Sequence, residues 1–213
     1  MIRFPVAVLA LTALACPLAA EPISPIRTAA LSAELFAAGV AADDPVLILA
    51  AARLRKSINP AEDAARAPDG ASPDGSTSAG EAPLGWEEMA DVAADLAADD
   101  AALLGLIEDL RVETTKGVIT GPVYSIASLA GGRSDTYGGI DFKGGEYAEV
   151  YVEAKSSVDL NLTVTDSQGR LVCADTDSSH IAYCGWRPDS TGRFTLKVEN
   201  KGGAGTGYAL MTN

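Results

Sequence analysis

Three stretches in the second half of the chain alternate apolar and polar residues with a period of two. Ala148, Val150 and Val152 interleave with Tyr147, Glu149, Tyr151 and Glu153. Val158, Leu160, Leu162 and Val164 stand between Asp159, Asn161, Thr163 and Thr165, and Phe194, Leu196 and Val198 between Thr195, Lys197 and Glu199. A strand points successive side chains to opposite faces, so this pattern predicts antiparallel strands with one face in a core and the other in water. Turn signals such as Asp166-Ser167-Gln168-Gly169 and Lys201-Gly202-Gly203 separate the stretches. About eight short strands over residues 116–213 make a β-sandwich the expected architecture.

The first half reads differently. Of 38 Ala, 30 precede Arg111, whereas nine of the twelve aromatics and 15 of the 21 Gly follow it. Ala-rich, aromatic-poor sequence favours helix. Ser24-Pro25 and Asp44-Pro45 look like helix starts, each a capping side chain followed by Pro in the first turn. Leu31, Leu35 and Ala38, then Leu47, Ala51, Leu54 and Ile58, fall at helical spacing. Arg53, Arg55 and Lys56 sit where the helix dipole favours cations. A second helical pattern runs through Trp86, Met89, Ala90 and Ala93 and then Leu103, Ile107 and Leu110. Between them, residues 59–82 hold two Pro-Asp-Gly steps and no large apolar side chain, the composition of a flexible linker. The expected fold class is α+β: helical hairpins over 21–58 and 83–115, then the sandwich. No fixed repeat period with anchor residues is evident in the helical part.

Residues 1–20 carry Arg3, an apolar run from Phe4 to Ala15 and the small-residue site Leu18-Ala19-Ala20, the order of a secretory signal peptide. A loose lipobox ending at Cys16 offers a lipid-anchored alternative. The 16 Lys+Arg against 29 Asp+Glu give a formal net charge of −13, which argues against nucleic acid as partner. No transmembrane segment is expected. In an oxidising compartment, Cys173 and Cys184, the cysteines left after cleavage, are expected to pair.

Residues 122–213 resemble the bacterial pre-peptidase C-terminal domain. Asp135, Tyr137 and Phe142 are similar to its opening. The run from Val158 to Asp166, with Gly169 and Val172, resembles its central strand, turn and next strand. Gly192 to Val198 and Tyr208 to Leu210 resemble its closing strands. The resemblance implies a secreted, jelly-roll-like sandwich that assists substrate binding or secretion rather than catalysing. Asn161 stands where that family often has Asp.

The chemistry-bearing candidates are few. His180 lies near Asp177, Ser178 and Ser179, but sequence neighbours do not make a triad. Asp159, Asn161, Asp175 and Asp177 form a candidate calcium set, oxygen ligands at a strand edge and on the loop between the cysteines. Tyr147, Glu149, Tyr151 and Glu153 form a candidate binding face for a sugar or protein. The functional expectation is an exported, non-catalytic protein whose sandwich recognises a protein or cell-envelope polymer. Its rivals are a helical scaffold for a protein partner and a carboxylate-dependent hydrolase.

Overall fold

The computed structural model describes residues 23–58, 60–69, 82–114 and 122–213. The signal and lipobox readings, and residues 59 and 70–81 of the expected linker, lie outside these. Helices α1 (Pro25–Ala41) and α2 (Pro45–Ser57) form one hairpin, and α3 (Trp86–Ala97) and α4 (Ala101–Val112) a second. The expected starts of the first hairpin are real caps. Ser24 Oγ accepts the Arg27 N–H at 3.0 Å, and Asp44 Oδ1 accepts those of Val46 and Leu47 at 2.9 and 3.2 Å. Asp100 caps α4 in the same way, through Ala102 and Leu103 at 3.0 and 3.1 Å. The two capped turns read Ala41-Ala42-Asp43-Asp44 and Ala97-Ala98-Asp99-Asp100, 56 residues apart (44 to 100), and Arg55 and Arg111 follow each cap at equal distance. The hairpins thus share a local repeat that the apolar pattern alone did not reveal.

Where α1 crosses α2, a Cβ on Gly39 would lie 2.7 Å from Ile48 Cγ1 and 3.0 Å from its backbone nitrogen, so the close approach requires glycine. Helices α2, α3 and α4 close a core of Ile48, Ala51, Ala52, Met89, Ala93, Leu103, Ile107 and Leu110.

The strands form two sheets. One has the order β1 (Ala61–Glu62), β2 (Val123–Leu129), β9 (Thr206–Thr212), β4 (Ala148–Ala154), β7 (Ile181–Trp186). The other runs β3 (Ser134–Phe142), β8 (Gly192–Asn200), β5 (Leu160–Asp166), β6 (Leu171–Asp175). All pairs are antiparallel except β1 with β2. The alternation sorts as expected between the sheets, where Val150, Val152, Leu160, Leu162, Val164, Leu196 and Val198 share one core. Phe142 packs edge-on against Trp186 and Phe194, which are tilted to each other, with centroids 4.8–5.7 Å apart. Cys173 in β6 and Cys184 in β7 form the expected disulfide, Cα atoms 5.9 Å apart, and so staple one sheet to the other.

Two expectations need correction. The face of β4 carrying Glu149, Tyr151 and Glu153 is not solvated: all three side chains are buried. Helix α1 lies on it, and its small residues Ala29, Ala30 and Ala33, with Ile26, let the helix approach Tyr151 and Met211 closely. The first part of the expected linker is also ordered against the sandwich. Ala61 and Asp63 donate to the carbonyls of Pro122 and Tyr124, and Asp69 to that of Thr136.

Candidate functional site

Of the four residues on the expected binding face, the structure assigns two different tasks. Glu153 is withdrawn from solvent. It receives Arg55 Nη1 and Nη2 from α2 at 2.7 and 2.9 Å and the Tyr151 hydroxyl at 2.9 Å. Arg55 Nε also reaches Ser32 Oγ at 3.2 Å, and Ser32 donates to the Ala51 carbonyl. Burial works against the Arg55 charge, but Glu153 outweighs it and holds the guanidinium above its ordinary value. Burial, then the Glu153 charge, keeps the Tyr151 phenol well above 10.0 and therefore neutral. This network fixes α2 to the sheet and engages both Glu153 carboxylate oxygens within the protein.

Tyr147 and Glu149 belong to an open hollow of about 710 Å³ between the start of α1 and the end of the sandwich. Tyr147 is 48% exposed, whereas Glu149 beneath it is 3% exposed. Glu149 Oε1 accepts the Ser24 hydroxyl at 2.6 Å and the Tyr183 hydroxyl at 2.7 Å. Burial, followed by the bond to Glu149, raises the Tyr183 phenol far above its ordinary value. Both phenols come together over Gly185: a Cβ there would meet the Tyr147 hydroxyl at 2.4 Å and that of Tyr183 at 2.8 Å. The backbone beside them is held by Asn213, which accepts the Glu149 N–H at 2.9 Å and donates to the Tyr147 carbonyl at 2.7 Å. Arg27 lies over the Tyr183 ring, 5.1 Å from its centroid, and Arg187 lines the hollow and donates to the Gly145 carbonyl.

Two further hollows continue from this one. The first, of about 240 Å³, shares Tyr147 and Asn213 and adds Lys143 and Glu146. The second, of about 430 Å³, shares Asn213 and Asp141 with the first and lies under Arg66 and Asp69 of the ordered linker segment. Arg66 is positioned there by Thr212 Oγ1 at 2.8 Å and Asp63 at 3.5 Å. Together they form a polar trough along one end of the sandwich. Arg27, Tyr183, Arg187 and Asn213 escaped the sequence reading because the residues that meet there come from distant elements. The only local signal was the Ser24-Pro25 cap, which marks where α1 begins.

The calcium candidates are placed only partly together. In the orientation that satisfies both neighbours, the Asn161 amide nitrogen donates to Asp159 Oδ1 at 3.2 Å and the Asp177 carbonyl at 3.1 Å. Asp175 instead accepts the Tyr183 N–H at 2.9 Å, and Asp177 that of Ser179 at 2.8 Å. Among the described residues no group of three or more His, Cys, Asp or Glu is gathered as metal ligands. His180 lines a separate groove with Lys155, Phe36 and Met89. Among the described residues no helix is long and apolar enough to cross a membrane.

No family model matches the chain, and no curated protein matches it. Solved structures do. The pre-peptidase C-terminal domain of a Bacillus anthracis collagenase is 15% identical, with 42% of this chain and 87% of that one covered and a TM-score of 0.35. A periplasmic inhibitor of g-type lysozyme from Aeromonas hydrophila is 18% identical, covering 48% and 91%, with a TM-score of 0.32. The C-terminal carbohydrate-binding module of a Zobellia galactanivorans laminarinase is 12% identical, covering 39% and 75%, with a TM-score of 0.26. What those proteins do is not carried over to this chain by likenesses of this extent.

Proposed function

We propose that this is an exported, non-catalytic binding protein whose sandwich recognises a cell-envelope polymer along the trough. The observation that carries the reading is Tyr147, 48% exposed where two hollows meet, with its backbone held by Asn213. An amphipathic ring with only two side-chain torsions offers a large contact surface at low ordering cost. A succession of linked hollows suits an extended polymer better than the convex surface of a globular partner. The Cys173–Cys184 disulfide supports export, because such bonds persist in oxidising compartments. A binding role rather than hydrolysis is supported by the carboxylates of β4. Glu149 and Glu153 are engaged by Ser24 and Tyr183, and by Arg55 and Tyr151.

A second reading, a helical scaffold for a protein partner, draws on Leu106 and Val112 of α4, which are 57% and 75% exposed. Co-sedimentation with purified envelope polymer separates the two. The full chain should pellet with the polymer, Tyr147→Ala should weaken this about tenfold, the worth of one good aromatic contact, and Leu106→Glu should leave it unchanged. A parent chain that does not pellet with the polymer would remove the first reading and leave the scaffold.

A further inference from the structure

Two guanidinium groups, Arg27 and Arg187, line the same hollow as Tyr147, in a chain with 16 cationic residues against 29 acidic ones. We propose that this end of the trough is a subsite for a sugar unit bearing a carboxylate. The inference rests on the polymer reading above and adds the chemistry of the unit recognised. A guanidinium presents five N–H donors in a planar fork that matches a carboxylate, and these two are only partly engaged. Arg27 reaches Glu34 at 3.7 Å with both side chains 47% exposed, a loose pair that a better-aligned carboxylate displaces at little cost. Arg187 is exposed and spends one amino group on the Gly145 carbonyl, which orients the rest of the fork.

The remaining walls suit a sugar rather than a bare anion. Tyr147 offers a ring face to the C–H side of a pyranose, and the Asn213 amide edges the same space. The acid on the floor is outnumbered, since Arg27 and Arg187 line the hollow against the single carboxylate of Glu149. Glu149 is buried beneath the Ser24 and Tyr183 hydroxyls, both of which donate to it. The hollow also meets the N-terminal end of α1, where the helix dipole favours negative charge. An acidic peptide would satisfy the arginines but would make little use of a flat ring set between polar walls, so the glycan is favoured.

Polygalacturonate and its methyl ester share one backbone and differ in the carboxylate, which makes them the probe pair. The full chain should bind the acid form about tenfold more tightly than the ester in affinity electrophoresis, the size of one charge-assisted contact. Arg27→Gln combined with Arg187→Gln should abolish that preference, with the thermal midpoint unchanged. Tyr147→Ala should weaken both forms alike. Equal binding of acid and ester overturns the carboxylate subsite and leaves the polymer reading standing. Polyglutamate bound as tightly as polygalacturonate overturns it in favour of an acidic peptide. If neither polygalacturonate form binds while envelope polymer still pellets the protein, the subsite is again overturned. If pelleting fails as well, the polymer reading itself falls.

Discussion

Arg55 and Glu153 hold opposite charges where their side chains keep only 10% and 6% of their exposure. Removing one partner strands the other in a low-dielectric contact, so Glu153→Ala should cost about 3–5 kcal/mol in urea unfolding. Replacing both at once, Arg55→Met with Glu153→Leu, should recover most of that loss. A single loss no larger than for an exposed pair would show the network to be loosely formed. Between the sheets, the Tyr208 hydroxyl joins Tyr137 and Asp135, each at 2.7 Å. Burial pushes the Tyr137 phenol up to about 12. Burial likewise holds the Asp135 carboxyl above its ordinary 3.8, with the Tyr208 bond pulling the other way. A carboxyl raised in the folded state contributes stability below its unfolded value, and that contribution is lost as pH rises through the folded one. Asp135→Asn keeps an acceptor for Tyr208 and removes the titration. The variant's unfolding midpoint should therefore fall less than the parent's as pH rises just above 3.8. An identical pH profile would contradict this.

At the scale of elements, the alternation in β5 and β8 placed the inner face correctly, because Thr163, Thr165, Thr195 and Lys197 on the other side stay partly open to water, although Asn161 is buried. It failed for β4, where both faces are buried, one in the sandwich core and one under α1. A period of two reports which residues share a face, not what lies against it, and charged residues at Glu149 and Glu153 made the outer face look wet. The helical stripe identified α1 correctly but not its contact with the sheet. Leu31 and Leu35 mark a large apolar stripe, yet the α1 residues that touch the sheet are Ile26, Ala29, Ala30 and Ala33. Small side chains bury little area each but permit close approach, so the contact surface is not the most hydrophobic one. The caps at Ser24 and Asp44 and the disulfide were legible because each depends on one or two residues, whereas the Asp100 cap, with no Pro after it, went unread. Asp100→Ala should cost about 1 kcal/mol, measurable as a lowered unfolding midpoint. Reducing the Cys173–Cys184 bond should cost about 3 kcal/mol in the loop-entropy account, and a midpoint unmoved by reductant would contradict its stapling role.

For the whole molecule, the helical part and the sandwich are joined by the packing of α1 and by the Arg55–Glu153 pair from α2, and the proposed site lies on their seam. Ser24 and Arg27 come from the helical side, and Tyr147, Glu149, Tyr183 and Arg187 from the sandwich. A trough assembled this way has no linear signature, which is why the sequence showed Tyr147 and Glu149 but none of their partners. It also means that a fragment of residues 116–213 would lack part of the site and expose Tyr151 and Met211, so it should bind envelope polymer poorly and self-associate in light scattering. Export should leave a mature chain that begins at Glu21 by mass spectrometry, and an intact Met1 on secreted protein would contradict that reading. Ligand is expected to meet the chain at this seam. Hydrogen exchange of the full chain, with and without purified envelope polymer, tests it most directly. Exchange should slow at the start of α1, around Tyr147 and through Tyr183–Arg187, with α3 and α4 unchanged. Protection confined to α3 and α4, or none at the seam while polymer is bound, would contradict it.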